Sequence, residues 1–70
     1  MRSPSIKISF GRQVRKFRTK RKLSQERLAE ICDMHVSYIG RIERGIQNVR
    51  LENIQIIAHA LKVRPRDLLP

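Results

Sequence analysis

Residues 23–45 read L-S-Q-E-R-L-A-E-I-C-D-M-H-V-S-Y-I-G-R-I-E-R-G and contain two short amphipathic patterns separated by a compact break. Ser24 is a good N-cap for the first pattern, because its hydroxyl can accept a hydrogen bond from an unpaired amide of the first helical turn. Leu28 and Ala29 lie on the apolar face that follows. These features predict a helix over residues 25–32.

The second pattern follows the break at residues 33–35. Ile39 and Ile42 are three residues apart, on one face of a helix predicted over residues 36–44. Gly45 can adopt the left-handed conformation that closes a helix. Two helices joined by so short a turn form a helix-turn-helix unit, and the second helix of such a unit can enter the major groove of DNA.

The charge of the chain indicates the same class of partner. Sixteen Lys and Arg residues outnumber six Asp and Glu residues, which gives a net charge of +10. Residues 1–22 contain nine of the basic residues and no acidic one. A field of one sign favours a polyanion, and nucleic acid is the leading candidate. A solvated basic surface and an anionic membrane surface are the alternatives.

Patterns that would indicate an enzyme are missing from the sequence. The chain has one cysteine, so neither an internal disulfide nor a multi-cysteine zinc site can form. It has no glycine-rich phosphate loop and no plausible Ser/His/Asp set. Cys32 fits a core position, and His59 fits a surface or interface position. We therefore expect no catalytic residue, cofactor, metal ion or small-molecule substrate.

No segment of the sequence is typical of a membrane or secreted protein. No apolar run approaches the roughly 20 residues that span a bilayer, and the N-terminus lacks the apolar centre of a signal peptide. The single cysteine suits a reducing compartment. We expect a cytoplasmic, nucleoid-associated protein with no membrane partner.

Further helices are predicted around the helix-turn-helix unit. Residues 1–8 are expected to form a basic arm, with a frayed terminus or a short strand as alternatives, before a single domain over residues 9–70. Helix 1 is predicted over residues 9–21 and helix 4 over residues 51–61. Pro65, which a first helical turn tolerates, indicates a short fifth helix. The predicted fold is all-α.

Arg18 is expected to form a structural ion pair. It follows Phe17, which lies on the apolar face of helix 1, so it should lie beside the core, where an arginine needs a carboxylate partner. Glu43 is the candidate because its neighbour Ile42 faces the core. We predict that Arg18 and Glu43 join helix 1 to helix 3. Two independent surface charges are the alternative.

Four residues of helix 3 face away from its apolar stripe and are predicted to contact base edges: Val36, Ser37, Tyr38 and Arg41. Arg41 has the most informative chemistry, because its planar fork can bond O6 and N7 of guanine together. Val36 can contact a thymine methyl group, and Ser37 can bond several base edges or a phosphate. For Tyr38, contact with DNA and partial packing against the core are both open.

Six further residues are predicted to contact the DNA backbone. They are Lys22, Gln25, His35, Arg44, Gln47 and Asn48. Gln25 begins helix 2, where exposed amides and a side-chain amide can hold a phosphate. For His35, a role in the turn alone is equally possible. Such contacts set position and affinity more than sequence choice.

These residues resemble the Cro/CI-type helix-turn-helix family, also called lambda-repressor-like or XRE-type. The matching phrases are L-S-Q-E-R-L-A at 23–29, S-Y-I-G-R-I-E-R-G at 37–45, A-H-A-L-K-V at 58–63 and D-L-L at 67–69. The resemblance covers about residues 9–69. It implies a compact bundle of five helices, sequence-specific binding of duplex DNA, a regulatory role and an ion pair between Arg18 and Glu43.

Three departures from the family pattern concern the ends of helices. Asp33 replaces the usual turn glycine, and Asp tolerates the left-handed region better than most residues. Lys22 and Lys62 replace frequent closing glycines. Arg50 stands where a Ser or Thr often caps helix 4, so that cap is expected to shift to Asn48 or to be missing.

The sequence as a whole predicts a transcriptional regulator that binds a two-fold DNA operator as a homodimer. The dimer contacts are expected near the C-terminus, at Val49, Leu51, Pro65, Leu68 and Leu69, although the leucines could instead cap the core. An antitoxin-like protein-interaction module and a nonspecific nucleic-acid-coating protein are the rival hypotheses. A controller of a restriction–modification operon and a phage or plasmid repressor fit the main hypothesis equally well.

Overall fold

The computed structural model describes residues 5–70, which form four α-helices and a C-terminal 3₁₀ turn. The helices are α1 (Ile6–Lys20), α2 (Gln25–Cys32), α3 (Val36–Glu43) and α4 (Leu51–Leu61), and the 3₁₀ turn is Pro65–Leu68. The described residues include no strand. The all-α prediction is confirmed, and α2 has the predicted bounds.

The prediction of a short fifth helix is wrong, because the segment forms only one 3₁₀ turn. The carboxylate of Asp67 accepts a hydrogen bond from the backbone N–H of Arg64 at 2.9 Å, which fixes the start of the turn. Leu69 is already extended, with φ −105° and ψ 151°. The turn therefore ends after four residues, too early for a helix with i to i+4 hydrogen bonds to develop.

Helix α1 begins at Ile6 and not at the predicted Ser9. Ser5 is the N-cap, and its hydroxyl accepts a hydrogen bond from the backbone N–H of Lys7 at 3.2 Å. The backbone N–H of Ser9 donates to the carbonyl of Ser5 at 3.0 Å, so the first turn is closed. The rest of the predicted arm, residues 1–4, lies outside the described residues.

One hydrophobic core joins the four helices and the 3₁₀ turn. Its buried members are Phe10, Val14, Leu28, Ala29, Cys32, Ile39, Ile42, Ile57, Ala58, Leu61 and Leu68. Leu68 is 0% exposed, so its predicted place in a dimer contact is wrong. The alternative interpretation, in which a C-terminal leucine caps the core, holds for this residue. It follows that the 3₁₀ turn stabilises the monomer.

Gly11 permits a close crossing of α1 and α3. A Cβ atom at this position would lie 2.1 Å from the carbonyl oxygen of Ile42 and 3.1 Å from that of Glu43. Both are backbone atoms, which cannot move aside as a flexible side chain would. The absence of a side chain at Gly11 therefore sets how closely α1 approaches the end of α3.

Left-handed residues close all four α-helices. Three are not glycine: Lys22, Asp33 and Lys62 have φ values of 60°, 56° and 58°. The fourth is Gly45, with φ 76°. After each of these residues, the next backbone N–H donates a hydrogen bond of 2.8–3.2 Å to the carbonyl five residues earlier. The donor–acceptor pairs are Leu23–Arg18, Met34–Ala29, Ile46–Arg41 and Val63–Ala58. The helix-turn-helix turn thus survives the replacement of its glycine by Asp33.

The predicted loss of a cap on α4 is also seen. Arg50 occupies the N-cap position and makes no side-chain capping hydrogen bond. Asn48 does not take over this role, because the N-cap is Arg50 itself. The start of α4 is therefore held by its neighbours and not by a local capping side chain.

We expect each of Lys22→Gly, Asp33→Gly and Lys62→Gly to raise the free energy of unfolding by about 0.5–1 kcal/mol. Glycine relieves the left-handed strain of about 1–2 kcal/mol at some cost in unfolded-state entropy. Urea unfolding followed by circular dichroism measures the change. Lys16→Gly, in the exposed middle of α1, is the matched control and should lower stability by about 1 kcal/mol. Equal losses at all four positions would contradict the strain argument.

Candidate nucleic-acid interface

The outer face of α3, which is directed away from the core, carries both polar and apolar side chains. Ile39 and Ile42 are fully or almost fully buried on its inner side. On the outer side, Val36 is 42% exposed, and Ser37 is exposed. Because helix periodicity separates the two sets, the core-facing prediction for the two isoleucines is confirmed. The outer residues are available to a partner.

Tyr38 lies at the edge of this face and packs partly against the core. Its hydroxyl accepts a hydrogen bond from Nδ2 of Asn53, on α4, at 3.0 Å. Of the two roles left open by the sequence, the structure displays the packing role. A contact between Tyr38 and a base stays a prediction; because the hydroxyl accepts from Asn53, its own hydrogen can still be donated to the nucleic acid.

Arg41 is half-buried and held on two sides. Its Nε donates a hydrogen bond to Oε1 of Gln47 at 2.8 Å. Its guanidinium carbon lies 6.0 Å from the centroid of the Tyr38 ring, at the outer limit of a cation–π contact. The bond to Gln47 depends on how the loop after α3 folds back, and the sequence did not indicate it. Tyr38 and Arg41, in contrast, are three residues apart in α3, a spacing that places their side chains next to each other.

The side chains of Gln25 and Arg44 both lie beside Gly40, which is buried in α3. A Cβ atom at Gly40 would lie 3.5 Å from Nη1 of Arg44 and 3.9 Å from Oε1 of Gln25. The two predicted backbone-contact residues therefore flank one point of α3, although they belong to different helices. Sequence reasoning missed Gly40, because a lone glycine within a helical pattern carries no specific signal.

The predicted ion pair between Arg18 and Glu43 is present and is the centre of a larger network. Nε and Nη2 of Arg18 donate to the two carboxylate oxygens of Glu43 at 2.6 and 3.0 Å. Nη1 of Arg18 donates to the carbonyl of Leu23 at 2.7 Å. The side chains are only 12% and 4% exposed. The hydrogen bond to Glu43 raises the pKa of Arg18.

Gln25 connects this network to the outer surface. Its Nε2 donates to Oε1 of Glu43 at 3.1 Å. An amide nitrogen has two hydrogens, so the second can still reach a phosphate. Gln25 is thereby oriented by the same carboxylate that fixes Arg18, and the start of α2 is fixed relative to α3.

The other predicted backbone contacts lie at or near the ends of α1, α2 and α3. Lys22, His35, Arg44 and Asn48 are exposed, whereas Gln47 is half-buried. His35 precedes α3 as its N-cap residue but makes no side-chain capping hydrogen bond. Its carbonyl accepts the backbone N–H groups of Tyr38 and Ile39 at 3.0 and 3.3 Å. Contact of these residues with phosphates stays a prediction.

A separate apolar surface lies at the start of α4 and the C-terminus. Leu51 is 80% exposed and Leu69 is 36% exposed. Together with Pro65 and Ile54 they line one open groove. Val49 instead packs partly against the core. Three of the five predicted dimer residues, Leu51, Pro65 and Leu69, are thus brought together, and Leu68 is separated from them by burial.

Nothing in the described part of the chain suggests metal or thiol chemistry. Residues 5–70 contain no cluster of three or more side chains suited to hold a metal ion. Burial raises the pKa of the Cys32 thiol, which keeps it in its less reactive protonated form. No helix among these residues is long and apolar enough to cross a membrane.

The chain is similar to known helix-turn-helix proteins. The family HTH_3, described as helix-turn-helix, matches residues 14–68. The chain is 52% identical over 66 residues to the control protein C.BamHI of Bacillus amyloliquefaciens, covering 93% of this chain and 82% of that protein. It is 44% identical over 64 residues to the control protein C.SmaI of Serratia marcescens, covering 91% and 76%. A solved structure, the restriction-modification controller protein C.AhdI of Aeromonas hydrophila, matches with a TM-score of 0.86 at 45% identity, covering 89% of this chain and 94% of that one.

We expect Glu43→Gln to lower the free energy of unfolding by about 2–4 kcal/mol, because it leaves the largely buried charge of Arg18 without a counter-ion. Urea unfolding measures the loss. Glu30→Gln is the matched control, since it breaks the exposed Arg27–Glu30 pair and should cost no more than about 0.5 kcal/mol. Similar losses in the two variants would contradict a special role for Glu43.

Proposed function

Because the chain belongs to the helix-turn-helix family HTH_3 and is a sequence-specific, DNA-binding transcriptional regulator, we propose that it is the control protein of a restriction–modification system. The similarity that supports this proposal extends over most of this chain and of its relatives. Regulators of this kind act by binding DNA and not by catalysis. We place the protein in the cytoplasm, with duplex DNA as its partner.

In the proposed complex, α3 lies in the major groove. The residues near the N-terminus of a recognition helix are those that reach base edges, and here they are Val36 and Ser37. Arg41 lies one turn further on and has the donor pair that can distinguish guanine. The observation that carries this arrangement is that Val36 and Ser37 are exposed, and Arg41 is half-buried, on the face opposite Ile39 and Ile42.

The DNA backbone is held at both ends of the helix-turn-helix unit. Gln25 and Arg44 both lie beside Gly40, and Lys22, His35 and Asn48 are exposed. In our proposal these groups bind phosphates and fix the orientation of α3. Their contribution to affinity is independent of sequence and falls as salt concentration rises.

A homodimer is proposed because one recognition helix reads only a few base pairs. Two copies spaced by about one helical turn of DNA, roughly 34 Å, give usable specificity on a two-fold operator. The exposed groove at Leu51, Pro65 and Leu69 is the proposed contact between the copies. An apolar surface of this kind, exposed on a monomer, suits an interface of a protein with itself.

Replacing Arg41 by Ala should cost about 1–3 kcal/mol of binding free energy, and only at one or two base pairs of the operator. The operator is first obtained by selecting binding sites from random duplexes, and each position is then substituted and titrated. Arg44→Ala is the control and should weaken binding about equally on all sequences. Uniform weakening by Arg41→Ala would favour a nonspecific coating protein, and no effect on DNA binding would favour a protein-interaction module.

Replacing Leu51 by Glu should raise the dimer dissociation constant by roughly tenfold or more, because a charge would be buried in the apolar contact. Sedimentation velocity over a range of concentrations, with and without operator DNA, measures this. Ile56→Glu is the matched control, because Ile56 is 43% exposed on another face of α4. A dimer that tolerates Leu51→Glu but not Ile56→Glu would place the interface elsewhere.

A further inference from the structure

The side chain of Arg41 is fixed before any partner arrives. Gln47 accepts from its Nε at 2.8 Å, and the ring of Tyr38 lies on its other flank, with the guanidinium carbon 6.0 Å from the ring centroid. Within residues 5–70, neither Nη nitrogen donates a hydrogen bond to a protein acceptor. The two terminal nitrogens of the Arg41 guanidinium are therefore free to bind a partner, whereas Nε is already hydrogen-bonded.

Gln47 is itself anchored and cannot easily follow a moving arginine. Its Nε2 donates to the backbone carbonyl of Asn48 at 2.9 Å, so the orientation of the amide, with Oε1 toward Arg41, is fixed. The backbone reinforces this arrangement, because the N–H of Ile46 donates to the carbonyl of Arg41 at 3.2 Å. Both the main chain and the side chain of Arg41 thus hold the loop that follows α3.

Tyr38 is supported from below by α4. Asn53 donates to its hydroxyl at 3.0 Å, and the tyrosine packs against the core. These two contacts restrict the motion of the Tyr38 ring beside Arg41. A rotamer-rich arginine loses conformational freedom when it binds, and contacts that order it in the free protein reduce that loss.

We propose that Gln47 is a positioning residue for DNA readout: by holding Nε of Arg41, it directs the two Nη nitrogens outward for end-on bonding to O6 and N7 of a single guanine. This role rests on the proposed function of Arg41. The role differs from the phosphate contact that the sequence predicted for Gln47. In the same proposal, the Tyr38 ring supports the guanidinium of Arg41.

The test uses the full chain and the selected operator, with each base pair substituted in turn. Arg41→Ala should reduce discrimination at one guanine by about 5- to 100-fold. Gln47→Ala should reduce discrimination at that same base pair by about 3- to 10-fold. The double variant should discriminate no worse than Arg41→Ala alone, because Gln47 acts through Arg41.

Gln47→Glu separates positioning from the alternatives. It keeps an oxygen acceptor for Nε of Arg41, so guanine discrimination should stay within about twofold of the wild type, while the added negative charge weakens binding on all sequences by about 3- to 10-fold. The Nε–H signal of Arg41 in an ¹⁵N spectrum should exchange slowly with water in the wild type and in Gln47→Glu, and faster in Gln47→Ala.

Other outcomes overturn the proposal. If Gln47→Ala changes preference at a different base pair, Gln47 reads a base itself; if it weakens all sequences equally, Gln47 contacts a phosphate; and if it changes nothing, Arg41 needs no support. In each case a wild type that still selects an operator leaves the proposed function intact. A wild type without sequence preference would overturn both proposals. An Arg41→Ala variant that retains full discrimination would overturn the roles of Arg41 and Gln47 and would leave the proposed function intact.

Discussion

The ion pair between Arg18 and Glu43 is the contact on which the positions of the other elements depend. It joins α1 to the last residue of α3, and its remaining hydrogen bonds reach Leu23 and Gln25 at the start of α2. A buried guanidinium and carboxylate must satisfy their donors and acceptors, or they destabilise the fold. All of these hydrogen bonds form together when α1, α2 and α3 have the relative positions that the structure shows. The network therefore fixes the angle between the two helices of the motif, beyond what a nondirectional hydrophobic core would specify.

The same network extends from the core to the outer surface through Gln25. Its amide bonds Glu43 on one side and lies beside Gly40 and Arg44 on the other. On the far side of α3, Tyr38 connects α4 to Arg41. The outer face of α3 is thus supported at both edges by groups whose positions the core determines. A change in packing beneath α3 would therefore shift the exposed side chains of α3 without replacing any of them.

Local signals explain why much of the fold could be predicted. The cap at Ser24 and the apolar spacing of Ile39 and Ile42 depend only on neighbours in sequence, and these predictions are confirmed, as is the Cro/CI-type resemblance. The burial of Leu68 depends on where the C-terminal segment meets the core, so the sequence left core packing and a dimer contact as alternatives. The bond between Arg41 and Gln47 depends on how the loop after α3 folds back, and the sequence did not indicate it. The prediction of an arm over residues 1–8 left out the capping ability of Ser5, which starts α1 at Ile6.

Charge and specificity set opposing demands on so small a protein. A net charge of +10 attracts any DNA, and that attraction carries no sequence information. Only a few side chains on one short helix are proposed to read bases. A single copy would therefore bind random sequence with nearly the same affinity as its operator. Two copies double the specific contacts but also double the nonspecific attraction. For the proposed homodimer, association that is weak in solution would resolve the conflict, because correctly spaced half-sites then favour assembly. The apolar groove lined by Leu51, Pro65 and Leu69 is the surface proposed for this contact.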